Sequence, residues 1–159
     1  TEIYTLSLHD ALPILFVAGL LHDLGRLVML RRLPRHTARA MALAREERAP
    51  LWRAEREVLG FDHAAVGRTL LAHWQLPAGL AETAGDHHGG PDMGLDAAIV
   101  QVADAAAVAA GFGSNGSPFV PPVDDAVWER LGLPSPALSV ALSQARRQVG
   151  DIVSTLLPN

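Results

Sequence analysis

LLHDLGRL, residues 20–27, sets a histidine beside an aspartate, His22-Asp23, at the end of the apolar run LFVAGLL of residues 15–21. The run predicts a helix that delivers an imidazole and a carboxylate, natural ligands of a divalent cation, to one point. Gly25 permits a tight backbone turn after the pair, and Arg26 puts a fixed positive charge beside any bound anion. Alone the dipeptide is a weak sign, since most adjacent His-Asp pairs are ordinary surface or helix-end residues, so its meaning depends on what lies downstream.

Downstream the chain reads as helix after helix. Residues 24–33 place Leu27, Val28, Leu30 and Leu33 at helical spacing, where they can face a core, and Pro34 stops that helix. Residues 36–48 are rich in alanine and arginine; Pro50 then opens a helix over 51–59, which Gly60 closes. Asp62 is a good N-cap for 63–74, whose expected buried stripe is Val66, Leu70, Leu71 and Trp74. A short helix over 78–88 ends at His87-His88, followed by the turn GGPDMG. Residues 95–111 are apolar almost all round, which predicts a central helix with Asp104 as its only internal charge. A Gly, Ser and Pro-rich loop over 112–123 leads to a helix over 124–131. A last helix, 136–157, carries Leu138, Leu142, Val149, Ile152, Val153 and Leu156 and reads as a packing element. Nothing over residues 24–60 alternates like a strand.

At 159 residues, with 49% apolar and 19% charged residues, the chain is one domain with room for a substantial core. Cysteine is absent, which excludes disulfides and thiolate metal sites. No membrane-spanning run or signal peptide is read, so a cytoplasmic location without membrane partners is expected. The net charge of −4 makes nucleic acid an improbable partner for the chain as a whole. All 13 basic residues are arginines. The REE and RAERE runs interleave them with glutamates, as a solvated helical face does. Residues 1–14, TEIYTLSLHDALPI, match codon by codon the translation of a common sequencing-adapter oligonucleotide. They are read as foreign, with His9-Asp10 a decoy and 15–159 as the C-terminal part of a domain that continued upstream.

The informative pattern is a set of polar residues, each at a helix end or on an otherwise apolar helix: His22, Asp23, His63, His87, His88 and Asp104. A buried unpaired aspartate costs several kcal/mol, so Asp104 needs a partner, and a metal with converging histidines is a sufficient one. The competing explanations, an arginine partner for Asp104 and solvated helix ends for the histidines, are each reasonable singly and less so jointly. His36 and His73 lack a matching acidic residue and are left out. All-nitrogen-and-oxygen ligation favours manganese, iron, zinc or magnesium, as one ion or two.

FVAGLLHDLGRL, FDHAAVGRTLLAHWQLP, the HH pair and IVQVADAAAVAAGFG, in this order, closely resemble the HDOD domain, the HD-related output domain of bacterial signalling proteins. This family is a relative of the HD metal-dependent phosphohydrolases. The resemblance implies an all-α fold and a regulatory role beside receiver or cyclic-dinucleotide domains. By motif, His22 and Asp23 match the HD pair and Asp104 the last metal aspartate. His63, His87 and His88 match the extra histidines of two-metal relatives such as the HD-GYP phosphodiesterases. HHGGPDMG lacks the glutamate and GYP sequence of those enzymes, which argues against cyclic di-GMP hydrolysis, and Arg26 replaces the usual lysine. The superfamily's histidine one helix before the HD pair is not found.

Two functions follow. The first is a signal-transduction output module that presents helical surfaces to signalling proteins or upstream domains and retains a divalent-metal site. The second is a metal-dependent phosphohydrolase, in which Asp23 serves as ligand and Arg26 neutralises charge on the phosphoryl group of a nucleotide or cyclic dinucleotide. If residues 1–14 are foreign, deleting them should change the unfolding free energy little, since a segment never selected with the domain lacks complementary packing. Chemical denaturation of both chains checks this, and a loss of several kcal/mol would assign the segment to the fold.

Overall fold

The computed structural model describes residues 8–90, 93–112, 119–134 and 136–156. Among these the chain is helical without strands: α1 (Leu8–Leu21), α2 (Leu24–Arg32), α3 (Pro34–Glu47), α4 (Leu51–Leu59), α5 (His63–His73), α6 (Ala78–Asp86), α7 (Leu95–Ala109), α8 (Asp125–Leu131) and α9 (Ala137–Leu156). The helix ends follow local chemistry. Pro34 occupies the first turn of α3, Gly60 ends α4 with φ 81°, and the Asp62 carboxylate accepts the Ala65 N–H at 2.8 Å to cap α5.

The helices pack as a layered set in which α5 lies against both α2 and α6, α1 and α7 cover α6, and α3 and α4 form an antiparallel hairpin. Most buried apolar residues are alanines, among them Ala18, Ala40, Ala44, Ala64, Ala84 and Ala98. Side chains this small let helix axes approach closely, since interaxial distance is set by the residues at the contact. The largest fully buried side chains are Met29, Leu71, His63, His87, Glu55, Thr37 and Asp62, so polar groups fill much of the space that bulky aliphatics occupy in an ordinary core.

Four sequence expectations change at this level. On α2 the inward residues are Gly25 and Met29, while Leu27 and Leu30 are exposed, because the helix approaches α5 on its glycine side. Gly25 is not in a turn: it is buried within α2, and a Cβ there would collide with the backbone carbonyl of His63 and the backbone nitrogen of Gly67. Its role is close approach of α2 to the start of α5. On α5 the inward face is His63, Ala64, Gly67 and Leu71, while Trp74 is 54% exposed. The small residues face α2 and α6 because only they permit that spacing, which turns Val66 and Leu70 toward the rim. Finally, α9 has no buried residue. Leu138 packs on the α7–α8 cluster of Met93, Ala97, Ala98, Val102 and Val127, and Arg146 donates to the Ala110 carbonyl just past the end of α7. Beyond that level Val149, Ile152, Val153 and Leu156 remain exposed.

Two further points concern the N-terminal part. Residues 13–32 form a window that reaches membrane-span length and composition, with mean hydropathy 1.6, contrary to the expectation of none. In the fold this window is divided between α1 and α2 at His22-Asp23. The boundary expected at 14/15 falls inside α1, and Ile14 packs against Ala18, Leu80 and Val100. Residues 1–7, and the side chains of His9 and Asp10, lie outside the described set, as do parts of the GGPDMG turn and of the 112–123 loop.

Gly25→Ala should be costly. Relieving contact with two backbone atoms requires α2 to move off α5, a form of overpacking worth about 3 kcal/mol. Urea denaturation measures it, and unchanged stability would contradict the close α2–α5 crossing.

Candidate metal centre

The chain leaves α1 at Leu21, still hydrogen-bonded from His22 N–H to Ala18 O at 2.9 Å, and enters α2 after Asp23. Asp23 occupies the N-cap position without capping, because its backbone is not extended (φ −97°, ψ 9°) and its carboxylate makes no cap hydrogen bond. That carboxylate turns inward instead. Oδ1 lies 3.1 Å from His63 Nε2 and 3.7 Å from His87 Nε2, and Oδ2 pairs with Arg26 at 2.9 Å.

The histidines come from three helix ends. His22 follows α1, His63 begins α5, and His87 and His88 follow α6. In three of them Nδ1 is already engaged. His22 Nδ1 donates to Gly19 O at 2.7 Å, His87 Nδ1 to Ala84 O at 2.8 Å, and His63 Nδ1 to Glu55 Oε2 at 2.5 Å. Fixing the proton on Nδ1 turns each Nε2 to the centre, the orientation a ligating imidazole needs. His88 Nε2 is 2.7 Å from His63 Nε2, and the His88 ring stacks on Trp52 at 5.7 Å with an interplanar angle of 17°.

The donors group into two triads, His63, His87, His88 and His22, Asp23, His87, each with its ligand atoms within 4.8 Å of one another. His87 belongs to both. Asp104 stands at the margin, with Oδ1 4.0 Å from His22 Nε2. The six residues singled out from the sequence thus come to one place, five of them at the centre. Buried His22 Nε2 and His87 Nε2 have no hydrogen-bond partner, and both point into the small volume beside Asp23 Oδ1, which lies against His63 Nε2. Unsatisfied polar atoms are expensive in a core, and a divalent cation with nitrogen and oxygen ligands suits this set. Arg26, read as an anion-binding charge, is engaged with Asp23, although its buried Nε has no partner.

The electrostatics without a cation are divided. Burial alone would lower the His63 pKa, but the Asp23 and Glu55 carboxylates raise it to about 9. Burial lowers His87 to about 3, helped by the neighbouring His22 and His63 rings, and with His87 and His63 pushes His88 far below the usual histidine range. Burial opposes ionisation of Asp23, yet contact with His63 and the Arg26 guanidinium hold its carboxyl well below the carboxylate range.

Sequence reasoning missed Glu55, placed in a solvated charged run. It is completely buried, and its α4 neighbours Leu51, Ala54 and Val58 belong to the apolar cluster with Ala40 and Ala44. The signal was present: Leu51, Ala54, Glu55 and Val58 follow i, i+3, i+4, i+7 spacing, which puts the glutamate on the apolar face of α4. The arginines of that run, Arg53 and Arg56, are solvated as expected. His36 and His73 are exposed and take no part.

Histidines and an aspartate thus converge from successive helix ends of an all-α domain, as the resemblance to the HD-related families implies. The family model for the HDOD domain matches residues 5–89, more than half of the chain. The chain belongs to the HDOD domain family, as an HD-related output domain. The match includes the HD pair, α5 and both consecutive histidines, and ends before α7. No curated protein and no solved structure gave a significant match.

The pKa shifts set the pH dependence of the metal-free fold. His63, raised, contributes stability that is full below its unfolded value of 6.5 and is lost as pH rises through 9. His87 and His88, depressed, contribute stability that is full above 6.5 and is lost on acidification. Melting temperature in chelator should therefore peak near pH 6.5 and fall on both sides. A monotonic rise from pH 5 to pH 9, followed by circular dichroism, would contradict the His63 environment.

Proposed function

We propose that this domain is a bacterial, cytoplasmic signal-transduction output module whose helices are organised on a divalent cation. The cation is held by Nε2 of His22, His63, His87 and His88 and the carboxylate of Asp23, with Asp104 beside His22. One observation carries this reading. Three imidazoles have Nδ1 tied to a fixed acceptor, and two of the freed Nε2 atoms, those of His22 and His87, are buried without a hydrogen bond. A helix-end cluster of this kind without a cation leaves desolvation uncompensated, whereas a cation of the manganese, iron or zinc type satisfies it. A site built from four separate chain segments also couples occupancy to helix packing, because binding only the folded arrangement stabilises it by mass action. That coupling suits an output module that shows helical surfaces to signalling proteins or to other domains of its chain.

A second reading, a phosphohydrolase acting on a nucleotide or cyclic-dinucleotide phosphoester, is favoured by one feature. Arg26 lines a small cavity together with Trp52, His63 and His88. A bound cation would supply Lewis acidity there, and Arg26 would hold a phosphoryl oxygen. The output-module reading stands first because a family's fold does not bring activity with it.

Zinc or manganese at a hundredfold its Kd is worth about 2.7 kcal/mol, so the melting temperature should rise by roughly 5–10 °C. Asp23→Asn keeps the shape and removes the charge, and should abolish both the shift and copurified metal. Binding should weaken as pH falls, because a ligating imidazole must be neutral. A wild-type protein without bound metal, whose melting ignores added manganese, iron and zinc, would overturn the reading. Hydrolysis of cyclic dinucleotides or nucleoside phosphates by metal-loaded wild type, lost in the folded variant, would establish the second one.

A further inference from the structure

Helix α4 supplies no donor to the cluster, yet three of its side chains touch residues that build the cluster. Trp52 stacks on the His88 ring, and Arg56 Nε donates to Asp62 Oδ2 at 2.6 Å, steadying the N-cap of α5. Between them lies Glu55, 0% exposed. Its Oε2 accepts from His63 Nδ1 at 2.5 Å and from the His63 backbone N–H at 3.0 Å, so one oxygen holds both the ring and the first residue of its helix.

We infer that Glu55 is a positioning residue of the site: its carboxylate locks the His63 ring with Nδ1–H toward α4 and Nε2 toward the cation. The inference rests on reading the cluster as a metal centre. An imidazole hydrogen-bonded on neither nitrogen can rotate about χ1 and χ2 and can ligate through either one. A carboxylate on Nδ1 fixes the ring plane, selects Nε2 and makes that nitrogen a stronger donor. Burial makes the arrangement stringent. A carboxylate with no exposure needs a compensating donor, and the His63 ring and backbone N–H both lie against it. A glutamate kept only to cap α5 would need the backbone bond alone, and Asp62 already caps that helix through Ala65 N–H.

Glu55→Gln separates the two roles, because the amide oxygen can still accept a hydrogen bond while the charge is gone. In the full chain the variant should keep its helicity in chelator and melt lower than wild type, because the charge that helps hold the His63 pKa high is gone. Its affinity for Zn2+ by isothermal titration calorimetry should fall by about 10- to 100-fold, the range typical of lost outer partners of a ligating histidine. Zn2+ binding within twofold of wild type would overturn the proposal while leaving the metal centre standing. Failure of wild type to bind Zn2+, Mn2+ or Fe2+ would remove the metal centre and this proposal with it. Should the variant not fold, nitrogen NMR of the wild type decides. Zn2+ must shift the His63 Nε2 resonance and leave a slowly exchanging, downfield Nδ1–H in place, whereas displacement of the Nδ1 proton overturns the assignment.

Discussion

The structure depends on the cost of burying ionisable groups at one point. His63, His87, Glu55 and Asp62 are all nearly inaccessible to solvent, and the half-buried Asp23 and His22 lie against them. A core of alanines brings the helices close enough to exclude water but offers no bulk of its own, so the polar side chains become the filling. Each must then be compensated by a partner. The Nδ1 hydrogen bonds, the Asp23–Arg26 pair and the His63–Glu55 pair are those partners, and the Nε2 atoms of His22 and His87 are left over within the candidate site.

Helix ends do this work for a geometric reason. A side chain at the start or finish of a helix can leave the helix surface along the axis, whereas one in the middle projects only sideways. Asp23 gives up its capping role, His63 sits directly after a capped Asp62, and His87 takes the C-cap position of α6. Gly25 and Gly67 make the convergence possible by removing side chains where α2 crosses α5. The HD pair and the following glycine are therefore one device: the pair supplies the donors, and the glycine lets them reach the next histidine.

The charge distribution also explains why α4 belongs to the centre without contributing a ligand. Glu55 and Asp23 lie on opposite nitrogens of His63, which holds that ring's pKa high, while His87 and His88 have no carboxylate so close and stay neutral. A set of imidazoles with mixed protonation within a few ångströms titrates as one coupled group rather than as separate residues.

The amino-acid sequence by itself determined the all-α class, most helix ends and which polar side chains gather at one point. Asp62, Gly60 and Pro34 act within a turn or two of where they stand, and apolar periodicity of 3.6 is a local property. HDLGR, FDH and HH were legible for the same reason: histidine and aspartate at the ends of apolar runs are conspicuous. Only the tertiary structure decided which face of each helix meets which neighbour. The rotation of α5, the packing duty of Gly25, the exposure of the far half of α9 and the burial of Glu55 all depend on contacts between segments distant in the chain. A helix's own periodicity states that a face exists, but the partner across it sets the spacing. That spacing decides whether alanine or leucine turns inward and which nitrogen of a histidine faces the centre.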